Sequence, residues 1–237
     1  MFDDESNILY IDDFLLVVNK PSGLLTIPDG YNPEIETARS LLEPEYGHLW
    51  IVHRLDKGTS GILVLARDKD THRALNQQFA SHEVRKEYHL VALGIPDQNQ
   101  WDVALPLLVN GNRSHHTTID LQAGKTAFTH FSVIDRFTSG YSCISAQPYT
   151  GYTHQIRAHL TASGLSIAGD PLYKPKPHPS IEQQVKITPP KNLITANRLM
   201  LHAWSIQVNH PVYKTSLSIH APYPDDFNQF LQIVSEK

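Results

Sequence analysis

The feature that most restricts the fold of this chain is a polar excursion held between two apolar runs. Leu49 to Val52 (LWIV) and Ile62 to Ala66 (ILVLA) flank HRLDKGTSG, His53 to Gly61. Short uninterrupted apolar runs bounded by turn chemistry read as strands entering a core, so this stretch is a strand, a tight polar loop and a second strand. Such a loop presents its side chains at a strand end, and Asp56 is the acid it presents. An aspartate by itself says little, because most cap helices, turn loops or face water. The strands on either side are what set this one apart.

The remaining chain alternates between both kinds of element. Ile8 to Ile11 and Phe14 to Asn19 read as two short strands around Asp12-Asp13, and Lys20-Pro21-Ser22-Gly23 breaks the second. Ile35 to Leu42 has weak helical spacing. Asp68 or Asp70 can cap a helix running to about His82, with Leu75 and Phe79 on its inner face. Glu87 to Gly94 reads as a strand, and Gln98 to Thr118, with its Gly-Asn and paired-His features, as a surface excursion with short strands. Thr126 to Ile134 and Tyr141 to Gln147 form a predicted hairpin. Thr153 is the expected cap of a helix that carries Ile156, Arg157 and Leu160 and stops at Gly164.

Lys174 to Lys191, with clustered prolines and four lysines against one glutamate, reads as an extended exposed loop. Arg198 to Val208 and Thr215 to His220 return to strand character, and Asp225 caps a last helix with Phe227, Phe230, Leu231 and Val234 on one face. Strands and helices mix without regular βαβ alternation. The expected fold class is therefore α+β, with a substantial mixed sheet in one domain spanning 1–237.

Composition narrows the function classes. No run approaches a membrane span, and the N-terminus MFDDESN is acidic where a secretory signal would be basic and then apolar, so a cytoplasmic protein is expected. Cys143 is the only cysteine, which excludes an intramolecular disulfide and a cysteine-based zinc cluster; its YSCISA context suggests a buried strand position. The net charge of -4 argues against an indiscriminate polyanion binder, since sequence-independent nucleic-acid affinity comes from Lys and Arg neutralising phosphates. Five acids and no base fall in the first thirteen residues, so the rest is close to neutral and a local basic groove is compatible with it.

An aspartate working near neutral pH in a partly dry cleft must stay ionised, and a guanidinium beside it favours the charged form. Arg54 and Arg157 are the candidates. A lone acid, without a second carboxylate at recognisable spacing, counts against standard glycoside hydrolysis. His154 and His159 are five apart and lack the acid of an HExxH motif, and His115 and His116 have no acids near them, so no metal site is expected. GxGxxG, Walker and GxSxG sequences are absent.

Five segments then resemble, in order, the motifs of the RluA-type pseudouridine synthases: VNKPSGLLT (Val18 to Thr26), HRLDKGTSGILVLARD (His53 to Asp68), KEYHLVALG (Lys86 to Gly94), TGYTHQIRAHLTASGLSIAGDPLY (Thr150 to Tyr173) and RLMLHAWSI (Arg198 to Ile206). HRLD with TSG is highly specific when HQIR and GD-x-x-Y follow. The resemblance implies a large, mostly antiparallel mixed sheet in two halves with flanking helices and a central RNA-binding cleft. It also implies isomerisation of uridine to pseudouridine in ribosomal or transfer RNA, with no cofactor.

By the same resemblance Asp56 is the catalytic aspartate, Tyr88 the tyrosine against the target base, and Arg157 the partner of the carboxylate. Arg54 fills the space of the extruded nucleotide, which must leave its stack to expose the glycosidic bond. Lys20 either contacts the RNA backbone or supports the cleft, while Thr59, His154 and Gln155 complete the substrate-binding set. Two departures stand out. Tyr152 occupies a position where relatives commonly carry arginine, and the chain begins directly with the catalytic domain, without the small RNA-binding domain of some relatives. Substrate grip is then expected from the cleft and from Lys174 to Lys191. RNA is the expected partner, with no membrane, no obligatory protein partner and a monomeric state. The competing readings are a catalytically silent RNA-binding or RNA-folding protein on the same scaffold and, lower, a metal-dependent hydrolase.

Overall fold

The computed structural model describes residues 7–28, 34–109 and 116–236. In chain order its elements begin with β1 (Ile8–Ile11), β2 (Leu15–Lys20), α1 (Ala38–Tyr46), β3 (Trp50–Ile51), β4 (Ser60–Ala66) and α2 (Lys69–Ala80). They continue with β5 (Arg85–Leu93), β6 (Ile95–Pro96), β7 (Gln100–Val103), β8 (Leu107–Leu108), β9 (Thr118–Ile119), β10 (Thr129–Arg136), β11 (Tyr141–Pro148) and α3 (Gln155–Ala162). The last are β12 (Ser166–Ile167), α4 (Pro179–Glu182), β13 (Ile187–Thr188), β14 (Leu201–Asn209), β15 (Ser216–His220) and α5 (Asp225–Ser235). Two compact units share them: Met1–Lys86 with His202–Pro224, and Glu87–Leu201 with Asp225–Lys237. The fold class is α+β, built on a mixed, mostly antiparallel sheet.

In the first unit β4 is buried along its whole length. Its continuous apolar run is the pattern of a strand covered on both faces. Ile62, Val64 and Ala66 pack with Leu15, Val17 and Leu75 on one side, whereas Leu63 and Leu65 pack with Leu16, Val18, Ala38 and Leu42 on the other. Leu75 belongs to α2 and Leu42 to α1, so each helix covers one face. Burying one such side chain fully contributes about 1.5–3 kcal/mol. Asp68, rather than Asp70, caps α2: its carboxylate accepts from the amides of Asp70 and Thr71 and from the Thr71 hydroxyl. Helix α1 starts later than the sequence spacing predicts, at a Thr37–Ser40 capping box, and runs past Pro44.

In the second unit β11 is the centre of an antiparallel β5–β11–β10–β7 set. The predicted hairpin is β10–β11. The stretch after Gln98 is less peripheral than expected. Trp101 and Val103 of β7 are buried, and the Trp101 indole stacks on Phe131 at 5.2 Å and donates to Ser163 Oγ at 2.9 Å. The indole therefore makes this strand part of the core. His115 lies outside the described residues. The lysine-bearing stretch is mostly exposed, as expected, but Ile181 and Val185 anchor it through the short α4.

All eight residues of α3 are buried. Thr153 does not cap it. The N-cap is His154, at φ 56° in the left-handed region and without a side-chain capping bond, so a left-handed residue stands between Thr153 and the first helical turn. The stop is a complete Schellman motif, with Gly164 N–H on Thr161 O at 3.0 Å and Leu165 N–H on Leu160 O at 3.2 Å. Within the helix, His159 is held between the Thr129 hydroxyl and the Leu105 carbonyl, each at 2.9 Å. Burial pushes its imidazole down to about 4, against a slight upward pull from that carbonyl.

The folded state therefore refuses a proton that the unfolded chain takes up near 6.5, and stability present above that pH is lost as pH falls toward about 4. The slope from this one ring is at most about 1.4 kcal/mol per pH unit. His159→Gln, which can still bridge the same two groups, should flatten urea-derived stability between those pH values by up to that amount. An unchanged slope would assign the acid sensitivity to other groups.

Candidate active site

The Asp56 loop grows out of β4 by a change of ladder partner. One edge of β4 is covered by β2 over its length. The other is covered by β3 at Leu65 and Ala66 and, at the opposite end, by β14 in parallel at Ser60 and Gly61. Between the two, the His53 ring accepts the Val64 amide at 2.9 Å and stacks on Phe79 at 5.1 Å. The imidazole thus takes the place of a strand residue, and burial pushes it down to about 3, with the nearby Lys86 charge adding to the effect. Burial likewise brings the Lys86 ammonium down to about 8.

Gly61 closes the loop on its far side. It has φ +110°, and a Cβ there would lie 2.2 Å from Ala203 O, so only glycine lets β14 approach this closely. Next to it, the buried Ser60 hydroxyl meets His202 Nδ1 at 2.9 Å, while His202 Nε2 faces Ala221 O at 3.3 Å. Between these fixed points Asp56 is half-buried and Arg54 exposed. Leu55 is buried, with its N–H and C=O both on Thr26 Oγ1 at 3.2 Å. Thr59 is buried and its amide closes the turn onto Asp56 O at 3.0 Å.

Lys20 is fully buried, and its ammonium donates to Pro21 O at 2.8 Å and Leu24 O at 2.7 Å. Of the two roles considered for it, loop support fits this placement. Direct contact with an RNA phosphate would require this fully buried ammonium to be uncovered.

In the second unit Tyr88 is half-buried on β5, opposite Ala146 of β11. Arg157 projects from the buried helix α3 and makes a two-pronged ion pair with Asp170, Nε to Oδ2 and Nη2 to Oδ1, both at 2.7 Å. The Tyr173 ring lies 4.7 Å from the guanidinium carbon. Asp170 also accepts the amides of Leu172 and Tyr173. Burial raises its carboxyl, but Arg157 and those amides together hold it below the ordinary 3.8.

His154 Nδ1 meets the Tyr173 hydroxyl at 3.1 Å, and that hydroxyl also bridges to the Thr117 backbone. Gln155 departs from its expected substrate-binding role. Its Oε1 accepts from Thr150 Oγ1 and the Tyr152 amide, and its Nε2 donates to Phe128 O and Thr129 Oγ1, which uses its full hydrogen-bonding capacity inside the protein. Tyr152 packs against the cluster of Leu107, Ala127, Ala158 and Tyr173.

Asp170 and Thr26 were not singled out from sequence. Both lie in quoted motifs, GDPLY and KPSGLLT, and an acid thirteen residues after a buried arginine was the available clue to the first. Among the described residues, no group of three His, Cys, Asp or Glu side chains is placed to hold a metal ion, and no helix is long and apolar enough to cross a membrane.

The RNA pseudouridylate synthase family profile matches residues 14–162, which include the Asp56 loop, Tyr88 and Arg157. The chain belongs to this family. The dual-specificity RNA pseudouridine synthases RluA of Pasteurella multocida and Escherichia coli are 34% and 33% identical to it, over 91% of this chain and 92% of each relative. The human RNA pseudouridylate synthase domain containing 4 superposes with a TM-score of 0.74 at 25% identity, covering 96% of this chain and 92% of that one. The human domain containing 1 protein shares the fold at a TM-score of 0.71 and 22% identity, covering 100% and 98%. This synthase is therefore an RluA-type member of the family, an isomerase that acts on RNA.

In this synthase the buried Arg157–Asp170 pair is the most demanding interaction on α3, because removing one charge leaves the other buried without compensation. Asp170→Asn should cost about 3–5 kcal/mol of unfolding free energy by urea titration. A loss below about 1 kcal/mol, the range of an exposed pair, would contradict the burial argument.

Proposed function

We propose that Asp56 is the reacting carboxylate of this synthase and that its substrate is a uridine turned out of its stack in ribosomal or transfer RNA. The observation that carries the reading is the combination at the β4 loop of a half-buried acid on a braced turn with an exposed arginine two residues before it. A fixed carboxylate beside the sugar stabilises the positive charge that develops as the C1′–N1 bond breaks. The freed base turns and rejoins through C5, and the proton on C5 is lost while N1 gains one. Atoms and electrons balance without a cofactor.

Arg157 is assigned the task of favouring the ionised carboxylate, and its two-pronged hold by Asp170 supports a fixed role for the guanidinium. Tyr88 is assigned contact with the base and help in the late removal of the C5 proton. Arg54, exposed on the loop, is assigned the space left by the extruded nucleotide. His154 and Thr59 are read as shaping the substrate site. The exposed lysines between 174 and 191 supply phosphate contacts. The same reading has the enzyme act as a monomer in the cytoplasm. The relatives' dual-specificity designation supports assaying both RNA classes.

The test is pseudouridine formation, read by nucleoside mass spectrometry on unmodified ribosomal and transfer RNA, with binding measured in parallel. The wild-type protein should form product and Asp56→Asn none, while both retain RNA within about twofold, since the residue adds little phosphate affinity. Product from Asp56→Asn would overturn the assignment, and RNA retention without product from either protein would favour the silent binding protein. Tyr88→Phe keeps the ring and removes the hydroxyl, so turnover should fall by about 10²–10⁴-fold at similar RNA affinity. Unchanged turnover would limit Tyr88 to packing.

A further inference from the structure

We propose that the Ser22–Thr26 segment holds Asp56 in its reacting position, with Thr26 and Ser22 as positioning residues. The proposal rests on the reading of Asp56 as the reacting carboxylate. Residues 53–59 belong to no strand or helix, so their backbone groups have no ladder to hold them. The segment supplies the missing partners on both sides of the acid. Before Asp56, the Thr26 hydroxyl accepts from Leu55 N–H and donates to Leu55 C=O, each at 3.2 Å. After it, Gly23 N–H donates to Lys57 O at 2.7 Å and the Ser22 hydroxyl to Gly58 O at 2.8 Å.

Residues one before, one after and two after the acid are thus each tied to the same short segment. The peptide before Asp56 is held through Leu55 C=O, and the one after it lies between the Thr59 N–H bond to Asp56 O and the tied carbonyls of Lys57 and Gly58, which together restrict the direction of the Asp56 Cα–Cβ bond. The segment keeps its own shape because the buried Lys20 ammonium spans the carbonyls of Pro21 and Leu24. Thr26 is 2% exposed and Leu55 4%, so water cannot substitute for the hydroxyl if it is removed. Ser22 is half-buried, which makes it the milder of the two contacts.

Thr26→Val preserves shape and branching and deletes the hydroxyl; Thr26→Ser restores the hydroxyl. On the full-length protein, kcat for pseudouridine formation should fall roughly 10- to 100-fold in Thr26→Val, with KM for RNA within about twofold, the signature of a displaced reacting group. Thr26→Ser should recover kcat to within about threefold, and Ser22→Ala should lower it about 3- to 10-fold without changing KM. Wild-type kcat in folded Thr26→Val, or equal losses in the Val and Ser variants, would overturn the proposal. If Thr26→Val does not fold, Ser22→Ala decides: wild-type kcat there overturns it. Asp56→Asn is assayed alongside. Product from that variant would sink the reading of Asp56, whereas its inactivity together with fully active Thr26→Val and Ser22→Ala would sink the positioning role alone.

Discussion

The first unit depends on one strand that is buried on both faces yet must end in a polar loop. Strand β4 satisfies its backbone on one edge with β2 and on the other with three successive partners: β3, the His53 ring and β14. That change of partner is what frees 54–59 to leave the sheet. A neutral imidazole suits the middle position because it accepts an amide hydrogen without bringing a charge into the core, and the downward shift of His53 is the electrostatic expression of that choice. The near-contact of Gly61 with Ala203 then sets how closely β14 approaches the loop's return.

The second unit solves a different problem, that of holding a cation on a helix buried along its full length. The guanidinium of Arg157 is almost fully withdrawn from solvent, and the Asp170 carboxylate that neutralises it is itself saturated by two amides. A cation held by two parallel hydrogen bonds and an aromatic face has one orientation. The left-handed His154 at the helix entrance fits the same picture, since strained backbone persists only where the surroundings enforce it.

Much of this was legible in the sequence where burial speaks through pattern. Strand β4 was readable because both of its faces are apolar, β10–β11 because they alternate, and α2 because Asp68 precedes a helical face. The misreadings share a cause. Thr153 looks like a cap and Gln155 like a substrate-binding amide, yet each role is decided by a partner distant in sequence or by a local twist that residue type does not encode. The Gln155 amide is consumed by Phe128 and Thr129 as well as by its own neighbours. Gln98 to Thr118 was read as peripheral because Gly-Asn chemistry drew attention away from Trp101, whose ring belongs to the core. The family motifs located the Asp56 loop, but the partners that hold it, Thr26 and Ser22, emerge only once the two segments lie side by side.

Cys143 shows what the second unit's central strand means for the whole molecule. It sits in β11 opposite Val91 of β5 and Asp135 of β10, and burial, reinforced by the Asp135 charge, pushes its thiol up to about 12. A thiol buried this far is not ionised near neutral pH, and what shields it is the packing over its face of the sheet. The sulfur therefore works as a built-in clock. Alkylating reagents added to the native protein reach it only when that packing opens, so the rate of labelling tracks local opening over β11.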